Sequence, residues 1–181
     1  MKPEECKGCP LYAARGPVFG DGPRDARLVF VGEAPGVDEV ARGKPFVGRA
    51  GAVFNIALSA AGVSRGLCYV TNTVKCLPPH PYRANTFRKP TQSEVEFCAT
   101  RYLDVELREI KPNVVVAMGD SAFRWMARDG KQRSILEWRG CVMEVDLDQE
   151  AVGRVETGGR SKESTLRALL HGAVYTPWEG A

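Results

Sequence analysis

The sequence has few of the features that would assign a class of protein directly. No stretch approaches the roughly 18 consecutive apolar residues of a membrane span. The N-terminal residues 1–6 contain no apolar signal region, so we expect a protein that is not exported. The formal net charge is only +3. So small a surplus of cations does not by itself indicate a nucleic-acid partner.

Hydrophobic residues and cysteines are what the chain does contain. A hydrophobic content of 44% over 181 residues suits one globular domain with a sizeable core. We expect this domain to span residues 1–181, with an insertion or irregular segment at 146–170. Disulfides are rare in the reducing compartment where unexported proteins remain. The six cysteines therefore favour a metal site over disulfides.

The first predicted strand runs directly into a glycine-rich loop. Residues 28–31 form a short, largely β-branched apolar run, which is typical of a buried strand. Gly32 follows at once, and further glycine and proline residues make the chain turn at the C-terminal end of the strand. Ligands of open α/β sheets bind at this edge. The loop extends to Gly51 and is a candidate binding loop, although an ordinary loop with solvated charges is the alternative. A helical pattern begins at Ala50.

Further apolar runs alternate with a helical pattern along the chain. Residues 68–74 predict a second strand, residues 114–119 a third and residues 141–145 a fourth. A helix is predicted between the second and third strands, over about residues 95–110. Strands that alternate with helices imply a parallel sheet with right-handed crossovers.

Some of the cysteines have a spacing that suits a shared metal site. Cys6 and Cys9 form a C-x-x-C pair, Cys76 follows the second strand, and Cys98 lies on the next predicted helix. That helix starts at Thr91, which forms the capping-box pattern with the glutamate three residues on. Four thiolates are enough for a [4Fe–4S] cluster or for a structural zinc, and their spacing does not choose between the two.

The glycine-rich loop resembles the first motif of the family 4 uracil-DNA glycosylases, the iron–sulfur enzymes typical of thermophiles and many bacteria. The similar stretches are residues 32–36, Glu39 and residues 43–51. The resemblance covers residues 1 to about 145 and implies an α/β/α three-layer fold with a central, mostly parallel four-stranded sheet. It implies base excision repair by a hydrolase (a glycosidase) that flips uracil out of single- or double-stranded DNA and hydrolyses its N-glycosidic bond. We expect a monomer in the cytoplasm of a bacterial, archaeal or viral system.

The resemblance also favours iron–sulfur over zinc. Family 4 glycosylases carry an N-terminal C-x-x-C, a third cysteine just after a Thr-Asn strand end and a fourth on the next helix. The cysteines that match this order are Cys6, Cys9, Cys76 and Cys98. The implied cofactor is a [4Fe–4S] cluster with a structural role. Cys68 and Cys141 have no counterparts, so we expect them to be buried small hydrophobes.

The implied site residues follow from the same motifs. The catalytic set is Glu33, Ala34, Glu39, Asn72 and Thr176. The substrate-binding set is Gly32, Pro35, Gly36, Phe46, Asn72 and Trp178. Phe46 matches the aromatic that stacks on uracil, and Glu39 matches the carboxylate that discriminates against a methyl group at the C5 edge. Asn72 matches the amide that reads the uracil edge, since a carboxamide offers a donor and an acceptor together.

The second motif of the family is altered in this sequence. It is normally a strand ending in His-Pro, and its histidine donates a hydrogen bond to the developing uracil oxyanion. Residues 174–178 align best, so Thr176 stands in place of the histidine and Trp178 is the remaining candidate wedge. Losing one oxyanion donor typically costs about 10² to 10³ in rate, so we expect reduced activity. The competing hypotheses are a catalytically silent DNA-binding module of a larger or viral replication or repair protein, and a zinc-stabilised domain that acts on another base.

Residues 77–90 form a longer loop than is typical of the family. The loop interleaves cations with aromatic residues, namely Tyr82, Arg83, Phe87, Arg88 and Lys89. Such a mixture suits contact with a single strand or a flipped nucleotide, and a solvated proline-rich loop is the equal alternative. Relatives that cross-link to uracil carry a nucleophilic histidine here, which His80 does not match.

Overall fold

The computed structural model describes residues 2–84 and 86–127. The sheet in this part of the chain has three parallel strands in the order β2–β1–β3. They are β1 (Leu28–Gly32), β2 (Cys68–Asn72) and β3 (Val114–Ala117). The predicted parallel α/β arrangement is confirmed, and β2 and β3 end slightly earlier than predicted. The strand predicted at 141–145 lies outside the described residues.

The helices flank the strands in chain order. They are α1 (Val37–Arg42), α2 (Arg49–Ala60), α3 (Gln92–Cys98), α4 (Asp104–Ile110) and α5 (Asp120–Ala127). A π-helical segment, Ala99–Leu103, joins α3 to α4, so the predicted helix is present as one continuous run. Short 3₁₀ helices cover Glu4–Cys6 and Arg65–Leu67. No helix in the described ranges is long and apolar enough to cross a membrane.

The sequence pattern does not predict helix α1, because the glycine and proline residues before it favour a turn. The helix begins directly after Gly36, whose backbone N–H donates to the Glu39 carboxylate at 3.0 Å. Gly43 ends it in the left-handed conformation, with φ of 66°. A carboxylate at one end and a glycine at the other therefore allow one and a half turns of helix inside the loop.

The two faces of β1 pack against different helices, which produces three layers. Side chains alternate along a strand, so Val29 and Val31 face one side of the sheet while Leu28 and Phe30 face the other. The first face packs on the α3–α4 run and on α5, through Leu103, Leu107, Ala122 and Met126. The second face packs on α2, through Phe54 and Leu58. Strand β1 is therefore the centre of the α/β/α arrangement.

The predicted capping box at the start of α3 is present. The Thr91 hydroxyl accepts from the Glu94 N–H at 3.4 Å, and the Glu94 carboxylate accepts from the Thr91 N–H at 2.8 Å. The helix therefore starts at Gln92, and its seven residues carry Cys98 to the C-terminal end.

Candidate active site

The loop after β1 and the end of β2 meet at the carboxyl edge of the sheet. Gly32 and Asn72 are register partners at the last position of the two strands. Backbone pairing continues beyond them, because the Thr73 N–H donates to the Gly32 carbonyl at 2.8 Å and the Val74 N–H donates to the Glu33 carbonyl at 2.9 Å. Glu33 and Asn72 therefore leave the sheet side by side.

The Asn72 amide and the Phe46 ring meet over the backbone of Gly32. A Cβ atom at Gly32 would lie 2.5 Å from Oδ1 of Asn72 and 2.5 Å from the tip of the Phe46 ring, so only glycine fits. Asn72 is 2% exposed, and its side-chain amide has no hydrogen-bond partner among the described residues. An unpaired amide beside an aromatic ring can accept a flat polar ligand such as a base.

Phe46 holds its position through contacts made by Arg65. The backbone φ of Phe46 is 53°, a left-handed conformation that costs energy in any residue with a side chain. The Arg65 guanidinium donates to the carbonyls of Phe46 at 3.1 Å and Pro45 at 2.7 Å, and to Oδ1 of Asn55 at 2.9 Å. It also lies 5.4 Å from the ring centroid of Phe54, which in turn packs on Phe46. Arg65 therefore holds the aromatic wall of the site without lining it.

Replacing Arg65 with alanine should lower kcat/KM on a uracil-containing oligonucleotide about tenfold, because a displaced wall misorients the bound base. Arg65→Lys should recover little, since an ammonium group cannot reproduce the planar fork that reaches two carbonyls and an amide at once. The measurement is steady-state cleavage, with circular dichroism as a check on folding. An Arg65→Lys variant as active as the parent would contradict this account.

The Glu39 carboxylate is occupied by backbone groups of the loop. One oxygen accepts from Gly36, and the other accepts from the N–H groups of Val47 at 3.0 Å and Gly48 at 2.8 Å. The residue is buried, with 8% of its surface exposed. Glu39 thus ties the start of α1 to the segment just after Phe46. Its predicted place beside the C5 edge of a base stays a prediction.

The Glu33 carboxylate is oriented by α5. Ser121 donates its hydroxyl to one carboxylate oxygen of Glu33 at 2.6 Å, and the other oxygen has no partner in residues 2–84 and 86–127. Ala34 packs toward the cysteines, and Pro35 is fully buried. No sequence pattern indicates the Ser121 contact, because the two residues are 88 positions apart. Thr176 and Trp178 lie outside the described residues.

A buried ion pair lies beneath the end of β2. Lys75, whose side chain is 1% exposed, donates from Nζ to Glu106 at 2.8 Å and to the Thr71 hydroxyl and the Asn72 carbonyl, each at 2.7 Å. The Glu106 carboxylate also accepts from the Thr71 hydroxyl at 2.8 Å and from the Gly20 N–H at 3.3 Å. The Lys75–Glu106 pair therefore holds the backbone carbonyl of Asn72 in place.

The predicted metal ligands line one cavity. They are Cys6, Cys9, Cys76 and Cys98. Backbone N–H groups point at two of the sulfur atoms: Leu11 donates to Cys9 and Lys75 donates to Cys98, each at 3.3 Å. The described ranges contain no group of three or more His, Cys, Asp or Glu side chains arranged to hold a single ion. The four cysteines therefore line the same cavity, but within the described residues they are not arranged as ligands of a single metal ion.

The protonation of the cavity thiols follows from their burial. Burial raises the pKa of the Cys98 thiol to about 11, although the Lys75 N–H opposes this. Burial also raises the pKa of the Cys76 thiol, against the opposing charge of Lys2. Metal–sulfur bonds require thiolates, so a bound group would displace these protons. Cys68, by contrast, is 2% exposed in the separate apolar cluster under α2, which agrees with the expectation of a small buried hydrophobe.

Comparison with known proteins agrees with the fold. The family model of the uracil DNA glycosylase superfamily matches residues 19–173, so the chain belongs to that superfamily. The type-4 uracil-DNA glycosylase of Thermotoga maritima is 41% identical over 138 residues, which is 76% of this chain and 68% of the relative. The type-4 enzyme of Archaeoglobus fulgidus is 40% identical over 144 residues, 78% of this chain and 69% of the relative. Within the superfamily, the chain belongs to the type-4 family.

A more distant similarity concerns the silent-module hypothesis. A DNA polymerase of Bacillus phage SP01 is 27% identical over 131 residues, which is 72% of this chain but only 13% of the polymerase. This identity is well below the 40–41% of the two type-4 enzymes. The comparisons therefore favour a glycosylase over a module of a replication protein.

Proposed function

We propose that this protein is a DNA-repair uracil-DNA glycosylase, which flips uracil out of DNA and hydrolyses its N-glycosidic bond. The observation that carries the proposal is the Asn72 amide, which has no partner among the described residues and lies beside the Phe46 ring across Gly32. A uracil edge presents an acceptor and a donor, which one carboxamide can satisfy together. The type-4 relatives, at 40–41% identity, support the same reaction. The protein would act on DNA as a monomer in the cytoplasm.

The reaction breaks one bond and forms another. The bond between N1 of uracil and C1′ of the sugar breaks, and its electron pair stays on the uracil ring. A water oxygen bonds to C1′, one proton of that water remains there as part of the hydroxyl, and the other ends on the departing uracil. Negative charge on the base and positive character on the sugar must be stabilised together, so preorganised polar groups carry the catalysis.

The described side chains divide this work. Phe46 stacks on the base, and Asn72 hydrogen-bonds its edge. Glu33, oriented by Ser121 and unpaired at its second oxygen within residues 2–84 and 86–127, stabilises the positive sugar and orients the attacking water. Glu39 excludes a methyl group at C5 of the base, and its carboxylate ties Gly36 to Val47 and Gly48, just after Phe46.

The remaining proposed site residues complete the pocket. Gly32, Ala34, Pro35 and Gly36 line it through their backbone. In the altered second motif, Thr176 would donate to the uracil oxyanion, and Trp178 would act as the wedge in the DNA.

Single-turnover cleavage of a labelled oligonucleotide with one uracil tests the proposal. We expect cutting after alkali at uracil only, with a thymine oligonucleotide left intact. Thr176→His should speed the cut about tenfold, a part of what one oxyanion donor typically supplies. Glu33→Gln should slow it, because an amide does not carry the charge that the sugar needs. Absence of cutting by both the parent and Thr176→His at excess protein would overturn the proposal.

We further propose that the four-cysteine cavity holds a [4Fe–4S] cluster. Cys6, Cys9, Cys76 and Cys98 would supply the thiolates, and N–H groups directed at sulfur are a common means of stabilising such clusters. Four thiolates lining one cavity are enough for such a cluster, and the similarity to type-4 enzymes favours it over one tetrahedral zinc. When bound, the cluster would link three parts of the chain covalently. These are the N-terminal segment through Cys6 and Cys9, the loop after β2 through Cys76, and the end of α3 through Cys98.

Cys98→Ala should lose the cluster, whereas Cys68→Ala should keep it, since both remove a buried thiol but only Cys98 faces the cavity. We expect about four irons per chain in the parent and in Cys68→Ala, and far fewer in Cys98→Ala. Iron and sulfide analysis with the visible absorption spectrum measures this. Stoichiometric zinc in the parent purified without air would contradict the cluster.

A further inference from the structure

The long loop after β2 is built as a hairpin. Pro79 and Phe87 form an antiparallel bridge. Two backbone hydrogen bonds flank it: the His80 N–H donates to the Thr86 carbonyl at 2.9 Å and the Arg88 N–H donates to the Pro78 carbonyl at 3.1 Å. We call residues 78–88 the 78–88 hairpin. Its prolines restrict the backbone further, so its turn is presented in a defined place.

The base of the hairpin is fastened to helix α3. The Arg88 guanidinium donates to both carboxylate oxygens of Glu94, at 2.6 and 2.7 Å. The Glu94 side chain is 4% exposed, and the Arg88 contact holds the pKa of its carboxyl below the ordinary value. A bidentate, largely buried pair of this kind is a strong link. Arg88 therefore has a structural role, and we do not include it among the cations expected to contact DNA.

The turn of the hairpin presents an aromatic ring and a cation to solvent. Tyr82 is 91% exposed, and its nearest aromatic neighbour is the His80 ring at a centroid distance of 6.3 Å. Its backbone is held, because the Tyr82 N–H donates to Nδ1 of His80 at 3.2 Å. The neighbouring Arg83 is exposed, and its guanidinium has no partner in the described part of the chain. The Arg83 carbonyl accepts from the Thr86 hydroxyl at 2.8 Å, which closes the turn.

The hairpin leaves the sheet at the edge where the candidate site lies. Strand β2 ends at Asn72, and only the buried stretch 73–77 separates that residue from the hairpin. The stretch is fixed on both sides, by Gly32 and Glu33 at its start and by Arg15, whose carbonyl accepts from the Leu77 N–H at 2.9 Å. The hairpin thus begins six residues after Asn72, the residue proposed to read uracil, and its turn carries an exposed ring and a cation that is unpaired among the described residues.

We propose that the 78–88 hairpin is a contact for the DNA strand beside the flipped uracil. Tyr82 stacks on an unpaired neighbouring base, and Arg83 binds a backbone phosphate. Both are contacts that tolerate any sequence, because every base has a π-face and every nucleotide has a phosphate. This inference rests on the proposed function, since it takes DNA as the substrate.

The test compares a hairpin variant with a matched control on single-stranded DNA. Tyr82→Ala/Arg83→Gln removes an exposed ring and one charge from the turn. Leu67→Ala/Lys111→Gln removes an exposed apolar side chain directly before β2 and one charge three residues before β3, at the opposite edge of the sheet. We expect the hairpin variant to raise KM on a uracil oligonucleotide about tenfold with kcat kept, and Tyr82→Trp to match the parent. The control should match the parent as well.

A binding arm keeps this inference separate from the proposed activity. Fluorescence anisotropy with a uracil-free single strand, repeated over a range of salt concentrations, should show weaker binding by the hairpin variant. The slope of log affinity against log salt should fall by about 0.7, the value for one lost phosphate contact. Equal affinity and equal KM in the parent, hairpin variant and control would overturn the inference, as would a loss confined to kcat. Failure of the parent to excise uracil would overturn the proposed function, while the anisotropy would still decide whether the hairpin binds DNA.

Discussion

Replacing Lys75 with methionine is expected to lower the free energy of unfolding by about 3–5 kcal/mol, because it leaves a buried carboxylate without its partner. The Lys75 ammonium is 2.8 Å from Glu106, and their side chains are 1% and 9% exposed. The same ammonium holds the Asn72 carbonyl and the Thr71 hydroxyl. Without it, Glu106 must either stay charged in the interior or take up a proton, and both cost stability.

A second substitution separates the charge from the packing. Lys75→Met/Glu106→Leu removes both partners and should lose less stability than Lys75→Met alone, because an apolar pair of similar size replaces the ions. Urea unfolding followed by circular dichroism measures the difference, with iron content recorded for each variant because the Lys75 backbone contacts Cys98. If the double variant were less stable than the single one, the unpaired charge would not be the source of the loss.

Replacing Asn72 with alanine is expected to lower kcat about 10² to 10³-fold, a cost typical of one lost preorganised hydrogen bond to a base that develops negative charge, while fold and iron content stay unchanged. The Asn72 amide has no hydrogen-bond partner in the described residues, so its loss breaks no hydrogen bond in that part of the chain. It would remove only the hydrogen bonds that the uracil edge makes.

Asn113→Ala is the matched control for Asn72→Ala. Asn113 lies just before β3, at the amino edge of the sheet, where it accepts from Arg27 at 3.0 Å. We expect full excision activity in this variant under single-turnover conditions. Equal rates in Asn72→Ala and the parent would show that the base edge is read elsewhere.

The parts of this structure that depend on neighbours in sequence were predictable. Apolar runs predicted the three described strands, and the spacing of Thr91 and Glu94 predicted the start of α3. The resemblance to a known family selected Phe46 in the glycine-rich loop and Asn72 at the end of β2, and the structure brings the two together. Each of these follows from local patterns or from a motif whose residues are close along the chain.

The contacts that hold the site in place were not predictable, because they join distant residues. Arg65 reaches Phe46 across 19 positions, Lys75 reaches Glu106 across 31, and Ser121 reaches Glu33 across 88. An arginine in a turn or a lysine before a cysteine carries no sign of its partner, because the pairing exists only after the sheet has assembled. Helix α1 was missed for a related reason: the bond that starts it comes from a glutamate expected to face the base.

Lys75 contacts two parts of the molecule to which we assign different functions, the cysteine cavity and the end of β2. Its backbone N–H donates to the sulfur of Cys98, and its ammonium donates to the carbonyl of Asn72. Every amino acid except proline can supply that N–H, but only a long cationic side chain can supply the ammonium contact. In a library of all single substitutions, proline at position 75 should therefore disturb both parts of the molecule, whereas the other substitutions should disturb only the backbone of Asn72 and the pair with Glu106.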